Sequence, residues 1–279
     1  MQIVPAVPED FPRLKEFLLP YEPYCVQLCS YVRKGLENLF VIKDDKDDAG
    51  VIYAKGTLLH CIPDFESCES ELSKVLGDFL RTHPVKCING TSSVTEKIKS
   101  ILQVQGRTCS QTNLYQLMSL SCETSPVPPE ESLYNDDIIR RCANAEHDSD
   151  ILFELQKAYI KEEVAPAGKN PGDLEISVVL KQIIKNQICL ALFSDGEAVA
   201  KANTNAIGWN CVQLGGIYTH PLYRKNGYAH HLVYNLCKRI LKAGKTATLY
   251  VKGNNLPAAS LYKKIGFKKN CGFEIAYFE

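Results

Sequence analysis

The chain has 279 residues, more than one hydrophobic core usually serves, so two domains are expected. Its 32 Lys plus Arg match its 32 Asp plus Glu, which excludes the strongly basic character of a nucleic-acid binder or of a protein held on an anionic membrane. No apolar run approaches the length of about 18 residues that spans a bilayer.

The first residues, MQIVPAVPEDFPRLKEFLLP, place acids and prolines where a secretory signal needs a basic start and an apolar core, so a cytoplasmic protein is expected. Twelve cysteines are present, scattered singly and mostly inside apolar runs (Cys61, Cys87, Cys142, Cys189, Cys211, Cys271). Cys25 and Cys29 lie one helical turn apart, with no C-x-x-C and no histidine at zinc spacing. Free thiols packed as small apolar residues are the expectation. His230 and His231 are adjacent on an expected helix and point to different faces, and no H-E-x-x-H occurs, so no metal is expected.

In chain order, helices are expected at Glu9–Leu19 and Tyr24–Lys34. Strands follow at Leu39–Lys43, Val51–Ala54 and Leu58–Ile62, the first two joined by a turn at Asp47-Asp48-Ala49-Gly50. A helix over Cys68–Arg81 carries Leu72, Val75, Leu76, Phe79 and Leu80 on one stripe. A strand at Val85–Ile88, a helix at Ser93–Leu102 and a strand at Leu114–Leu120 complete this half. Residues 123–132, ETSPVPPEES, mix prolines and acids with no apolar period, which reads as a linker.

Beyond it the expected order is strand Asp137–Cys142, helix Asp148–Glu163, helix Gly172–Lys185, and strands Ile188–Phe193 and Ala198–Asn205, with a hairpin turn at Asp195-Gly196. A strand Cys211–Tyr218, a helix Gly227–Lys242, a strand Thr246–Val251, a helix Leu256–Ile265 and closing strands to Phe278 follow. The helix at Gly227 buries Ala229, Leu232, Val233, Leu236, Cys237, Ile240 and Leu241. Its N-terminus is preceded by Arg224-Lys225-Asn226-Gly227, a basic loop with a glycine at its tightest point. The first N–H groups of a helix lack intrahelical partners and the dipole adds partial positive charge, so this loop is an anion site suited to a pyrophosphate. It is neither G-x-x-x-x-G-K-[ST] nor G-x-G-x-x-G.

Arg224-Lys-Asn-Gly227-Tyr-Ala229 resembles the acyl-CoA loop [RQ]-x-x-G-x-[GA] of the GNAT superfamily of N-acyltransferases. Downstream, Asn255, Ala258, Leu261, Tyr262, Gly266 and Phe267 are similar to that family's second element, N-x-x-A-x-x-L-Y-x-x-x-G-F. The resemblance covers roughly residues 133–279. The N-terminal half repeats the order of elements, so the resemblance implies an α/β (α+β) protein of two GNAT-like mixed, bent sheets flanked by helices, in tandem. A divergent domain at 1–122, the linker at 123–132 and an acyl-CoA-binding domain at 133–279 are expected. Where the first half should carry a phosphate loop it has Asp64, Glu66, Glu69 and Glu71, with no glycine and no base. These charges suit a helix N-terminus but repel a pyrophosphate, so this half is read as structural, walling the acceptor site.

The resemblance further implies acetyl-CoA as co-substrate and acetyl transfer to a primary amine of a small molecule or peptide by direct attack in a ternary complex. Backbone groups of Ile217, Tyr218 and Thr219 would hold the pantetheine arm. Arg224, Lys225, Asn226, Gly227, Tyr228 and Ala229 would hold the pyrophosphate. Tyr262 stands where many relatives place the acid for the leaving thiolate, or packs on the cofactor arm. Asn255 contacts the cofactor or caps its helix. Gln213 replaces a glutamate common in relatives, which leaves water, His220, Glu162, Glu163 and Glu175 as sources of a base. A non-catalytic acyl-CoA sensor is the alternative from another class. A structural tandem like the tRNA-dependent peptidyl transferases is a third, disfavoured by the intact loop. The motifs do not name the acceptor.

Overall fold

A computed structural model of the chain describes all residues except 45–47, 131, 134–136 and 165–170. The first half begins with β1 (Gln2–Pro5), α1 (Phe11–Leu18), α2 (Val26–Lys34), β2 (Leu39–Lys43) and β3 (Asp48–Cys61). It ends with α3 (Glu69–Thr82), β4 (Val85–Thr91), α4 (Ser92–Val104) and β5 (Cys109–Leu120). The second half runs β6 (Ile138–Cys142), α5 (Ala145–Tyr159), α6 (Asp173–Asn186), β7 (Cys189–Ser194), β8 (Glu197–Ile207) and β9 (Cys211–Thr219). It closes with α7 (Tyr228–Lys242), β10 (Thr246–Lys252), α8 (Leu256–Ile265) and β11 (Lys268–Phe278).

Two expectations need correction. The strands at Val51–Ala54 and Leu58–Ile62 are one strand, β3. Gly56, with φ 69°, lies between the two expected strands without ending the ladder, which shifts register there with the extra residue, Lys86, on β4. The start of β3 pairs with β2 and its end with β4, so one strand serves both edges. Asp48, Ala49 and Gly50 already belong to β3, while Asp47 of the expected turn lies outside the described residues. Likewise the closing strands to Phe278 are the single strand β11. The Asp195-Gly196 turn is as expected, both residues having positive φ (50° and 82°).

The described strands form one mixed sheet in the order β1-β2-β3-β4-β11-β5-β10-β9-β8-β7-β6. Its middle is an exchange. The last strand of the first half, β5, pairs only with β10 and β11, and the last strand of the second half, β11, pairs only with β4 and β5. On one face α7 and α8 cover Leu190, Leu192, Leu214, Ala247 and Leu249. On the other, α5 and α6 cover Cys189, Ala191 and Tyr218, while Val26 of α2 packs on Ala206 and Cys211. In the first half α3 and α4 pack against Ile52, Leu58 and Ile88, with Ala276 and Phe278 of the exchanged β11 in the same core. Among the described residues no helix is long and apolar enough to cross a membrane, and no three-residue group could hold a metal ion.

Candidate functional site

Strand β9 and its parallel neighbour β10 share only three rungs, Thr246↔Cys211, Ala247↔Val212 and Thr248↔Gln213. Beyond them the two diverge, and residues 214–219 lose β10 as a partner on that edge. Backbone N–H and C=O groups left without a ladder seek another partner, so this open edge is a strip with which an extended polar ligand can pair. Ile217, Tyr218 and Thr219 all lie on it.

A bulge shapes the strip. Lys201 faces Tyr218 and Asn203 faces Gly215, which leaves an extra residue on β9 at Gly216-Ile217. Gly216 has φ 58°, and a Cβ there would meet Asn203 Oδ1 at 1.9 Å, so only glycine fits. Lys201 Nζ donates to Gly216 O at 2.9 Å and lies 4.9 Å from the centre of the Tyr159 ring. This lysine is fully buried, which pulls its pKa down to about 8.

At the end of the strip, a turn at 221–223 leads through exposed Arg224, Lys225 and Asn226 to Gly227, the N-cap of α7. Lys225 and Gly227 both have positive φ (69° and 72°), so the chain turns sharply into the helix. No acid stands in the first turn of α7, and its dipole is open to an anion. The residues expected to hold a pyrophosphate are therefore contiguous, but they are disposed differently. The Tyr228 side chain is buried and donates to Asp137 Oδ1 at 3.3 Å, so only its backbone can face an anion. Arg224 is engaged by Glu162 at 2.7 and 2.9 Å, and its Nε donates to Thr219 O at 3.1 Å.

Asn255 does what a helix cap does: its Oδ1 accepts from Ala258 N at 3.1 Å. Its Nδ2 donates to Glu163 Oε1 at 3.2 Å, so the same side chain also reaches the cleft. The Tyr262 ring is buried between α7 and α8 and packs edge-on against Phe267 at 6.0 Å. Burial, then the nearby Tyr159 and Glu163, push its phenol above the usual tyrosine range, so it stays protonated at neutral pH.

Of the base candidates, Glu162 and Glu163 stand on the π-helical turn Ile160–Val164 beside the strip, whereas Glu175 is exposed on α6. Gln213 and Thr248, the last rung before the divergence, are buried, and Gln213 Oε1 and Thr248 Oγ1 have no hydrogen-bond partner among the described residues. Four residues escaped the sequence reading: Lys201, Asn203, Tyr159 and Tyr115. A lysine inside an apolar strand, Ala198-Val199-Ala200-Lys201-Ala202, was the available signal. Tyr115 comes from the exchanged strand β5, opposite Lys252 of β10, and no local pattern reveals that placement.

In the first half β3 and β4 pair as far as Leu59↔Asn89. Beyond that rung the buried His60 fills the gap: a Cβ at Gly90 would lie 2.0 Å from its Nε2, which pairs with Thr95 Oγ1 at 3.0 Å. A cavity of about 10 Å3 remains, room for one water. Phe65 is buried just before α3, whose first turn carries Glu69 and Glu71.

Residues 192–275 match the family described as FR47-like protein. No curated protein matches the chain. Among solved structures, a Drosophila protein superposes with a TM-score of 0.71 at 14% identity, over 99% of this chain and 98% of its own. A GNAT-family acetyltransferase from Colwellia psychrerythraea gives 0.59 at 14% identity, over 100% and 99%. A tandem GNAT protein from the clavulanic acid biosynthesis pathway gives 0.60 at 11% identity, over 100% and 98%. The chain thus has the GNAT fold in tandem along its whole length, and its second half carries the family match.

Proposed function

We propose that this protein is an acyl-CoA-dependent N-acyltransferase that moves an acetyl group from acetyl-CoA to a primary amine of a small molecule or peptide. The observation that carries this reading is the alignment of the open edge of β9 with the basic, glycine-led N-terminus of α7. An extended arm ending in a diphosphate fits that pair of elements, and the fold shared with acetyltransferases supports it.

In this reading residues 217–219 hold the arm through backbone groups, and the first turn of α7 with Arg224 and Lys225 holds the diphosphate. The neutral amine nitrogen attacks the thioester carbonyl and gives up a proton to water, the C–S bond breaks, and the departing sulfur takes a proton from Tyr262, which solvent then restores. Positioning of two reactants supplies most of the rate gain. One observation favours a second reading, an acyl-CoA sensor without turnover: Gln213 stands where a carboxylate would take the amine's proton, and an amide cannot do so.

Two measurements test the proposal. Titration calorimetry should find one acetyl-CoA site per chain, and Gly227→Asp, which adds bulk and negative charge at a positive-φ position, should abolish it. Two equivalent sites would overturn the assignment to the second half. Release of free CoA thiol with a panel of amines separates the enzyme from the sensor, which would bind acetyl-CoA and release none.

A further inference from the structure

The proposed donor strip is crossed by one carboxylate. Glu162 takes the Arg224 guanidinium at 2.7 and 2.9 Å and accepts from the Tyr218 hydroxyl at 3.0 Å. The guanidinium carbon lies 5.4 Å from the centre of the Tyr218 ring. A carboxylate beside an aromatic face is a seat for an organic cation, because the ring quadrupole and the negative charge act on the same side. In this structure Arg224 fills that seat. Tyr159 stands edge-on to Tyr218 at 6.3 Å and walls the inner side of the ring.

Arg224 cannot serve two anions fully at once. A pyrophosphate at the N-terminus of α7 offers several charges, plus the helix dipole, against a single carboxylate whose side chain is 42% exposed. Once Arg224 turns to the pyrophosphate, Glu162 and Tyr218 face the strip with their charge and ring uncovered. Next to them, Glu163 holds Lys252 at 3.4 Å and Asn255 at 3.2 Å and is already neutralised.

We propose that Glu162 and the Tyr218 ring form the binding seat for the positively charged amine of the acceptor, which Arg224 occupies until the donor's pyrophosphate draws it away. The inference rests on the acyltransferase reading and deepens it. The acceptor class is an alkylammonium, and donor binds before acceptor. The ordinary pKa of a carboxylate lies far below that of an alkylammonium, so Glu162 binds the cation and does not deprotonate it. The proton leaves by another route, such as water.

Glu162→Gln keeps the size of the side chain and removes its charge. Calorimetry on the full chain should show acetyl-CoA binding severalfold tighter in the variant, because Arg224 is released. In steady-state assays the KM for an alkylamine should rise at least about tenfold, while the KM for an aromatic amine, uncharged at pH 7, should stay within about twofold. Unchanged or weaker acetyl-CoA binding in the variant, or equal losses for both amine classes, would overturn the seat. If the wild-type chain binds no acetyl-CoA, the acyltransferase reading itself fails, whatever the variant does.

Discussion

Tyr262 packs in the core and is also the residue proposed to protonate the leaving thiolate. Its ring belongs to the core between α7 and α8, yet Tyr159 and Glu163, both at the cleft, are among the groups that raise its pKa. A phenol so perturbed keeps its proton at neutral pH, but the same shift makes it a weaker acid, so its part in protonating a thiolate has to be tested directly. Tyr262→Phe keeps the ring and removes the hydroxyl. If the hydroxyl protonates the sulfur, kcat should fall at least about tenfold, within the usual range for a general acid, with acetyl-CoA affinity nearly unchanged. A kcat within about twofold of wild type, where chemistry limits the rate, would leave Tyr262 as a packing residue.

At the scale of elements, the two halves show how little separates an open cleft from a closed one. In the second half β9 and β10 part after Gln213↔Thr248, and a glycine-led basic loop follows. In the first half β3 and β4 part after Leu59↔Asn89, but His60 and Phe65 fill the space and acids crowd the helix start. Burial drives the His60 pKa from the ordinary 6.5 down to about 4. The unfolded chain therefore takes up a proton that the folded one refuses, and stability contributed by neutral His60 is lost as pH falls from 6.5 towards 4. That linkage is worth up to roughly 3 kcal/mol at acid pH. His60→Gln, which can still bond Thr95, should remove it. Urea unfolding of both proteins at about pH 7 and pH 4.5 checks this, and an identical acid loss in the variant would refute the assignment.

The same comparison explains what the sequence reading could see. The helices with apolar stripes and the strand-loop-helix of β9 and α7 are local patterns, and their boundaries were expected within a few residues. The plug at His60 depends on a glycine thirty residues away in the chain, and the 14-residue β3 runs through Gly56, which lies in the gap between two expected strands. Strand β1 is too short to register a period. The seat at Glu162 was visible only as one of several carboxylates, because its partners Tyr218 and Arg224 lie 56 and 62 residues downstream.

For the whole molecule, the exchange of β5 and β11 makes the tandem a single mechanical unit. Every ladder partner of β5 lies in the second half, and every ladder partner of β11 in the first. A second joint reinforces it. The fully buried Glu22 accepts from the backbone N–H groups of Asn210 and Cys211 at 3.0 Å, against Gly208, where a Cβ would lie 2.0 Å from its Oε1. Arg33 donates to the carbonyls of Ile207 and Gly208 at 2.7 and 2.6 Å. Residues 123–130 do not act as a free tether either: Val127 N bonds Ile265 O at 2.9 Å, and His230 Nε2 pairs with Val127 O at 3.0 Å. Cutting the chain between Ser125 and Pro129, by an engineered protease site, should therefore leave the two pieces associated. They should co-elute at the intact mass on size exclusion and unfold in one transition, because separation would strip β5 and β11 of all their ladder bonds and expose two unpaired edges. Residues 1–122 expressed alone should aggregate for the same reason. Two pieces eluting separately, each still folded, would show that the exchanged strands are dispensable and that each half closes its own sheet.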